Sequence, residues 1–186
     1  KEKASSFFDD LKNRKFKLLY LLGSDNLEFQ KNNEFIVYQG SHGDRGAEVA
    51  DLILPSATYT EQNGLYENLE GRIQEGKKAS YPIGEALEDW KIFNRIIKKL
   101  GFEDNTANFE ELRKKVLETI PNFSDINKLP KKSEIKINNI ETSFFSEKIF
   151  VRELDYYYTN SISRSSKTMS ECRQIRQKIK KDGTNN

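Results

Sequence analysis

Apolar and polar positions along this chain follow two different periods, and the change of period divides it. Phe16–Leu22 (FKLLYLL) and Phe35–Tyr38 (FIVY) are short apolar runs rich in aromatic and branched residues. They stop at Gly23 and Gly40 and read as buried strands. Leu52–Leu54 is a third such run, ended by Pro55. Between the second and third runs only Ala47–Ala50 can form a short helical connection. A strand, a brief connection and a strand predict a parallel α/β edge, with a crossover short for a full βαβ unit. Tyr59–Gln74 has no helical stripe and predicts loop and short β structure around Gly64 and Gly71. After the Pro82-containing linker Ser80–Gly84 the period becomes helical. Ala86, Trp90, Phe93, Ile97 and Leu100 predict one helix over Glu85–Leu100, with Lys98 and Lys99 complementing its C-terminal dipole, Gly101 as its stop and Trp90 as a core anchor. Asn108, with Glu111 three residues on in capping-box spacing, starts another helix. Phe109, Leu112, Val116 and Ile120 line its apolar face before Pro121.

The flanks are more polar. Ala4, Phe7, Phe8 and Leu11 give Ala4–Asn13 a helical spacing. Within the Lys/Asn-rich stretch 122–150 only Glu134–Ile140 alternates, as a β-strand would. Met169, Cys172, Ile175 and Ile179 recur at helical spacing between basic residues. Lys167–Lys181 therefore predicts an amphipathic helix that docks on the body or on a neighbour.

Bulk properties narrow the function classes. A chain of 186 residues can bury about 70% of its unfolded surface, enough for one ordinary core. No apolar run approaches the roughly 20 residues needed to span a bilayer. One cysteine, Cys172, excludes an intrachain disulfide and a cysteine-ligated iron–sulfur cluster in these residues. One histidine, His42, excludes a histidine-rich metal site. Residues 161–186 hold seven Lys/Arg against two Asp/Glu, a net +5 that leaves −3 on residues 1–160. A basic tail on a mildly acidic body suggests docking to an acidic surface. Without interleaved aromatics the tail is a poor nucleic-acid binder. Lys1 is no initiator and Met169 is the only methionine, so the expectation is a processed chain or a fragment. Glu2, Asp9 and Asp10 make Lys1–Arg14 too acidic for a mitochondrial targeting peptide.

The candidate chemistry concentrates in residues 40–74. Backbone amides around Gly43 and Gly46 could hold an anion, with Asp44 between them and Arg45 and Arg72 as phosphate forks. Glu61, Asn68 and Glu70 could accept from the amino groups of a heterocycle. These residues could equally satisfy one another, Glu61 and Glu70 against Arg45 and Arg72, in an ion-pair network without a ligand. The turn after the first strand, Gly23-Ser24-Asp25-Asn26, lacks the later glycines of a dinucleotide fingerprint and reads as a strand-ending turn. No G-x-S-x-G elbow occurs. Cys172 on its apolar stripe reads as an inert thiol and His42 as a turn histidine. Nucleophilic catalysis is therefore not expected.

Three segments carry a family resemblance: GSHGDRGAEVADLILP at 40–55 with YTEQNGLYENLEGRIQ at 59–74, ALEDWKIF at 86–93, and YYYTNSISRSSKTMSEC at 156–172. They resemble the C-terminal part of the large iron–sulfur subunit of mitochondrial respiratory complex I (NADH:ubiquinone oxidoreductase). More distantly, the first is similar to the molybdopterin oxidoreductases. The match is close in these segments and weak over 102–150. It implies an α/β fold in which 1–101 ends a molybdopterin-oxidoreductase-like domain and 102–186 forms a helical C-terminal region with a basic tail helix. It further implies iron–sulfur clusters and FMN elsewhere in an assembly that passes electrons from NADH to quinone and pumps protons.

By that resemblance this chain is a structural, non-catalytic part of the hydrophilic arm, on the matrix side of the mitochondrial inner membrane. No cofactor or metal is expected in it. Its expected partners are the remainder of the large subunit and other subunits of the arm, with neither nucleic acid nor direct membrane insertion. Gly43, Asp44, Arg45, Gly46, Glu61, Asn68, Glu70 and Arg72 would then be a vestigial pterin loop. Two departures from the family pattern point the same way. Ser41 stands where the first histidine of G-H-H-G-D is usual, and Leu69 where a threonine precedes E-G-R. The alternatives are a pterin-binding fragment that retains its cofactor and a basic adaptor acting through 161–186.

Overall fold

The computed structural model describes residues 9–13, 15–24, 30–103, 106–120, 123, 125–129 and 155–183. The chain forms two compact units, 1–128 and 129–186.

The first unit is built on a three-stranded parallel sheet of β1 (Leu18–Leu22), β2 (Phe35–Gly40) and β3 (Leu52–Pro55), in that spatial order. Between β2 and β3 lies a single helical turn, α1 (Arg45–Glu48). So brief a crossover works because Asp44 caps the turn and Gly46 lets it lie against the sheet. A Cβ on Gly46 would stand 2.8 Å from the Ser24 carbonyl oxygen and 2.8 Å from the Tyr38 ring. One face of the sheet presents Leu19, Leu21, Ile36 and Tyr38. Leu11, Phe16, Ala47, Val49 and Ala50 pack against that face, closing the main core. Pro55 is the last residue of β3, opposite Gly40, and ends the strand at an edge position that asks no amide of it.

A second, antiparallel pair follows: β4 (Gly64–Glu67) and β5 (Ile73–Gly76), joined by the turn at Asn68–Gly71. Two helices complete the unit, α2 (Asp89–Lys99) and α3 (Phe109–Thr119). The expected helix start at Glu85 is corrected to Asp89. Leu87 is held extended by its neighbour strand: its amide donates to the Pro55 carbonyl (3.2 Å) and its carbonyl accepts from Ala57 (2.8 Å). The expected stripe shifts as well. Ile92 is the buried residue of α2, Trp90, Phe93 and Ile97 are half-buried, and Leu100 is 67% exposed. Gly101, at φ +80°, stops the helix as expected. The α3 start is capped by Asn108, whose Oδ1 accepts from the Glu111 amide at 2.9 Å.

In the second unit the described residues form α4 (Ser161–Ser165), capped by Asn160 in a reciprocal box with Ser163, and α5 (Lys167–Gly183). Tyr156, Tyr157 and Tyr158 lie against α5. Arg173 stacks over Tyr158 at 4.5 Å and Arg176 over Tyr156 and Tyr157 at 5.9 Å each. Met169 and Cys172 are half-buried, whereas Ile175 and Ile179 face solvent. Residues 4–8 of Ala4–Asn13, the Asp25-Asn26 half of the first turn, Pro121 and Glu134–Ile140 lie outside the described residues; Asp9–Lys12 are helical.

Candidate functional site

Loops that leave the carboxyl ends of parallel strands are where α/β proteins place ligands, so the motif residues are followed from there. Asp44 sits between β2 and α1, and its Oδ1 accepts from the Arg45 amide at 3.0 Å. His42 is exposed, with Nδ1 2.8 Å from the Ser41 hydroxyl. Glu61 closes the next turn, accepting from the Thr58 amide at 3.1 Å while its own amide donates to the Thr58 carbonyl at 2.9 Å. Asn68 organises the β4–β5 turn: its Oδ1 accepts from the amides of Glu70 (3.0 Å) and Arg72 (2.9 Å). Glu70 is exposed, and Leu69 projects fully into solvent at the tip.

The eight candidate residues thus fall into three local groups, 43–46, 61 and 68–72. No hydrogen bond or ion pair among the described residues joins one group to another. The four-charge network is not formed, since neither Glu61 nor Glu70 pairs with Arg45 or Arg72. Arg72 keeps a buried Nε without a hydrogen-bond partner. Glu61 Oε2 and Asn68 Oδ1 already accept from the chain's own amides. Among the described residues no group of three or more His, Cys, Asp or Glu side chains is placed to hold a metal ion.

What the chain does bring together is a polar centre that sequence reasoning missed. Gln39, wholly buried at the end of β2, accepts from the Tyr20 hydroxyl and donates Nε2–H to Asp89 Oδ1 at 2.6 Å. Gln62 donates to Asp89 Oδ2 at 2.9 Å and to the Ala57 carbonyl at 3.3 Å, and accepts from the Asp89 amide at 3.1 Å. Asp89 stands in the first turn of α2, where the helix dipole favours an anion. Burial, with the Asp89 charge adding to it, pushes the Tyr20 and Tyr66 hydroxyls above the ordinary phenol range. The Tyr20 ring stacks on Phe93 at 5.8 Å between centroids. Next to Asp89, burial pushes Glu88 up. The Trp90 indole N–H at 2.7 Å and the ammonium groups of Lys91 and Lys78 outweigh it and hold Glu88 below the usual range. The one signal in the sequence was Gln39, a polar residue at the end of an apolar run; Gln62, in a polar loop, gave none.

This centre ties β1, β2, the 57–62 loop and α2 together through donors and acceptors that satisfy each other. It offers no activated nucleophile. Beside it a largely apolar cleft of about 350 Å³ is lined by Tyr66, Trp90, Phe109, Leu112 and Val116, with Asp89 at its edge. Another, of about 640 Å³, runs between the end of β3 and α2 past Leu54, Leu87, Ile92 and Ile96, with Arg95 and Lys99 at its rim. Gln62, Asn63 and Arg113 also border the first, and Glu85 the second. Among the described residues no helix is long and apolar enough to cross a membrane.

Comparison with known proteins gives a consistent picture. Residues 1–99 match the molybdopterin oxidoreductase family, and residues 127–172 match the family described as the C-terminal region of the NADH-ubiquinone oxidoreductase G subunit. The chain is 42% identical over 167 residues to the NADH-quinone oxidoreductase G subunit of Rickettsia bellii, covering 89% of this chain and 24% of that protein. It is 38% identical over 160 residues to the NADH-ubiquinone oxidoreductase 75 kDa subunit of Reclinomonas americana, covering 84% of this chain and 23% of that protein. Against the mitochondrial NADH-ubiquinone oxidoreductase 78 kDa subunit of Neurospora crassa it is 38% identical over 167 residues, covering 84% and 22%. The chain spans about a quarter of the length of the curated relatives it matches.

Proposed function

The chain belongs to the molybdopterin oxidoreductase family, and from that premise we propose that it is a structural, non-catalytic part of the large iron–sulfur subunit of NADH:ubiquinone oxidoreductase. It completes the α/β domain with residues 1–101 and continues into the subunit's C-terminal region with 102–186, including a basic helical end. Its place is the hydrophilic arm on the matrix side of the mitochondrial inner membrane. There it supports electron transfer from NADH to quinone by FMN and iron–sulfur clusters held in other segments and subunits. Its partners are the remainder of the large subunit and neighbouring subunits of that arm.

One observation carries the non-catalytic half of this reading. The motif side chains that would face a pterin are spent on local turns: Asp44 on Arg45, Glu61 on Thr58, and Asn68 on Glu70 and Arg72. The polar atoms that do meet, around Asp89, satisfy each other and hold the fold. The relatives' names support the subunit assignment, and the order of the two family matches along the chain supports its place toward the C-terminal end of that subunit.

The test is recovery of the tagged chain from solubilised membranes followed by native electrophoresis. The expected result is co-migration with the NADH-oxidising assembly. A chain that runs apart from that activity contradicts the assignment. The second reading is a retained pterin site, and the unpartnered buried Nε of Arg72 is the observation that favours it. Pterin and metal content of the same preparation separates the two. A basic adaptor role for residues 161–186 predicts that deleting them abolishes co-migration; retained co-migration rejects it.

A further inference from the structure

The two faces of the parallel sheet are unequally covered. Leu11, Phe16, Ala47, Val49 and Ala50 pack on one, where Ile53 on the edge strand is 50% exposed. Across the other lies α2, anchored by the Tyr20–Phe93 stack and the Gln39–Asp89 hydrogen bond. Strand register fixes what else belongs to this second face. Leu18 pairs with Phe35, Tyr20 with Val37 and Leu52, and Leu22 with Gln39 and Leu54. Val37 and Gln39 are buried, but Leu18 is 58%, Phe35 50%, Leu22 51% and Leu52 44% exposed. Leu18, Phe35 and Leu52 lie toward the amino ends of the strands, a row of large apolar side chains in the open, whereas Leu22 stands apart at the carboxyl end of β1.

That row is held in place. The Phe35 amide donates to the Lys17 carbonyl at 2.8 Å, and Asp51 accepts from the Ile36 amide at 2.8 Å while pairing with Lys31. Parallel sheets are stable when both faces are covered, because their strands are apolar on both sides. A contiguous exposed apolar patch of this kind marks an interface. The residues that could cover it are numerous in the relatives, which are about four times as long as the matched region.

We propose that the face made by Leu18, Phe35 and Leu52 is the docking surface for an amphipathic helix from the remaining part of the large subunit. The inference rests on the proposed membership of that subunit and names the surface through which it is joined. A helix fits because it brings a single apolar stripe and carries its own backbone hydrogen bonds. It also repeats on the open part of this face the manner in which α2 covers the rest.

The test places the photocross-linker p-benzoylphenylalanine at Phe35 of the full chain in cells that assemble the whole enzyme, with Leu69 at the hairpin tip as the comparison site. After irradiation the NADH-oxidising assembly is isolated and cross-linked peptides are identified by mass spectrometry. The expected result is a cross-link from position 35 to a helical peptide of the large subunit outside these 186 residues, and none to that peptide from position 69. In the same cells Leu18→Glu with Leu52→Glu lowers incorporation of the chain at least about tenfold, the factor that corresponds to about 1.4 kcal/mol. Co-migration with a cross-link to a different subunit, to a second copy, to a residue within the 186, or to nothing overturns the docking surface and leaves the subunit assignment standing. Failure of the unmodified chain to co-migrate overturns both.

Discussion

Two polar regions of this molecule invite comparison: the motif loops at 43–46 and 68–72, and the buried centre at Tyr20, Gln39, Gln62 and Asp89. The first is conspicuous in sequence, and the bonds that Asp44 and Asn68 accept from backbone amides stay within four residues along the chain. The second has no motif, yet its bonds link residues 19, 50 and 27 positions apart. Recognisability and structural weight are therefore carried by different residues. The loops carry the recognisable motif, and the centre holds the sheet to α2.

Mutations can break this contrast. Asp89→Ala removes the acceptor shared by Gln39 and Gln62 and strands buried amide donors, an expected loss of about 3 kcal/mol in urea unfolding. Asn68→Ala removes two Asx-turn bonds at an exposed tip and should cost about 1 kcal/mol by the same measurement. A larger effect at Asn68 than at Asp89 would reverse the comparison. Glu88 gives a smaller, pH-dependent contribution. Its folded-state pKa lies below the ordinary value of 4.5, so its stabilisation is complete above that value and is lost as the pH falls through the folded-state pKa. Urea midpoints followed from about pH 6 to about pH 3 should fall less steeply for Glu88→Gln than for the unaltered chain; equal slopes would show that Glu88 gains nothing from Trp90 and Lys91.

The fold was legible where local pattern decides it. The apolar runs located β1, β2 and β3, Gly101 marked the end of α2, and Asn108 marked the start of α3. It was illegible where distant partners decide it. Residues 85–88 carry a helical spacing, but the turn at Gly84–Glu85 and pairing of Leu87 beside β3 keep them out of the helix, so α2 begins at Asp89 and turns Ile92 inward in place of Leu100. The short helix α4 depends on the Asn160–Ser163 box, in a stretch with hardly an apolar residue to show a period. Among the candidate site residues the sequence located the loops but not what their side chains do. Asn68 and Glu61 serve backbone amides close by, while the convergence of Gln39 and Gln62 on Asp89 spans fifty residues and leaves no spacing to read.

The central claim is that this family member supports an oxidoreductase without holding a pterin of its own. The most direct measurement is the molybdenum, tungsten and oxidised-pterin content of the NADH-oxidising assembly purified through a tag on this chain. None of the three is expected above background. Pterin at one equivalent per chain, lost on Arg72→Met, would contradict it.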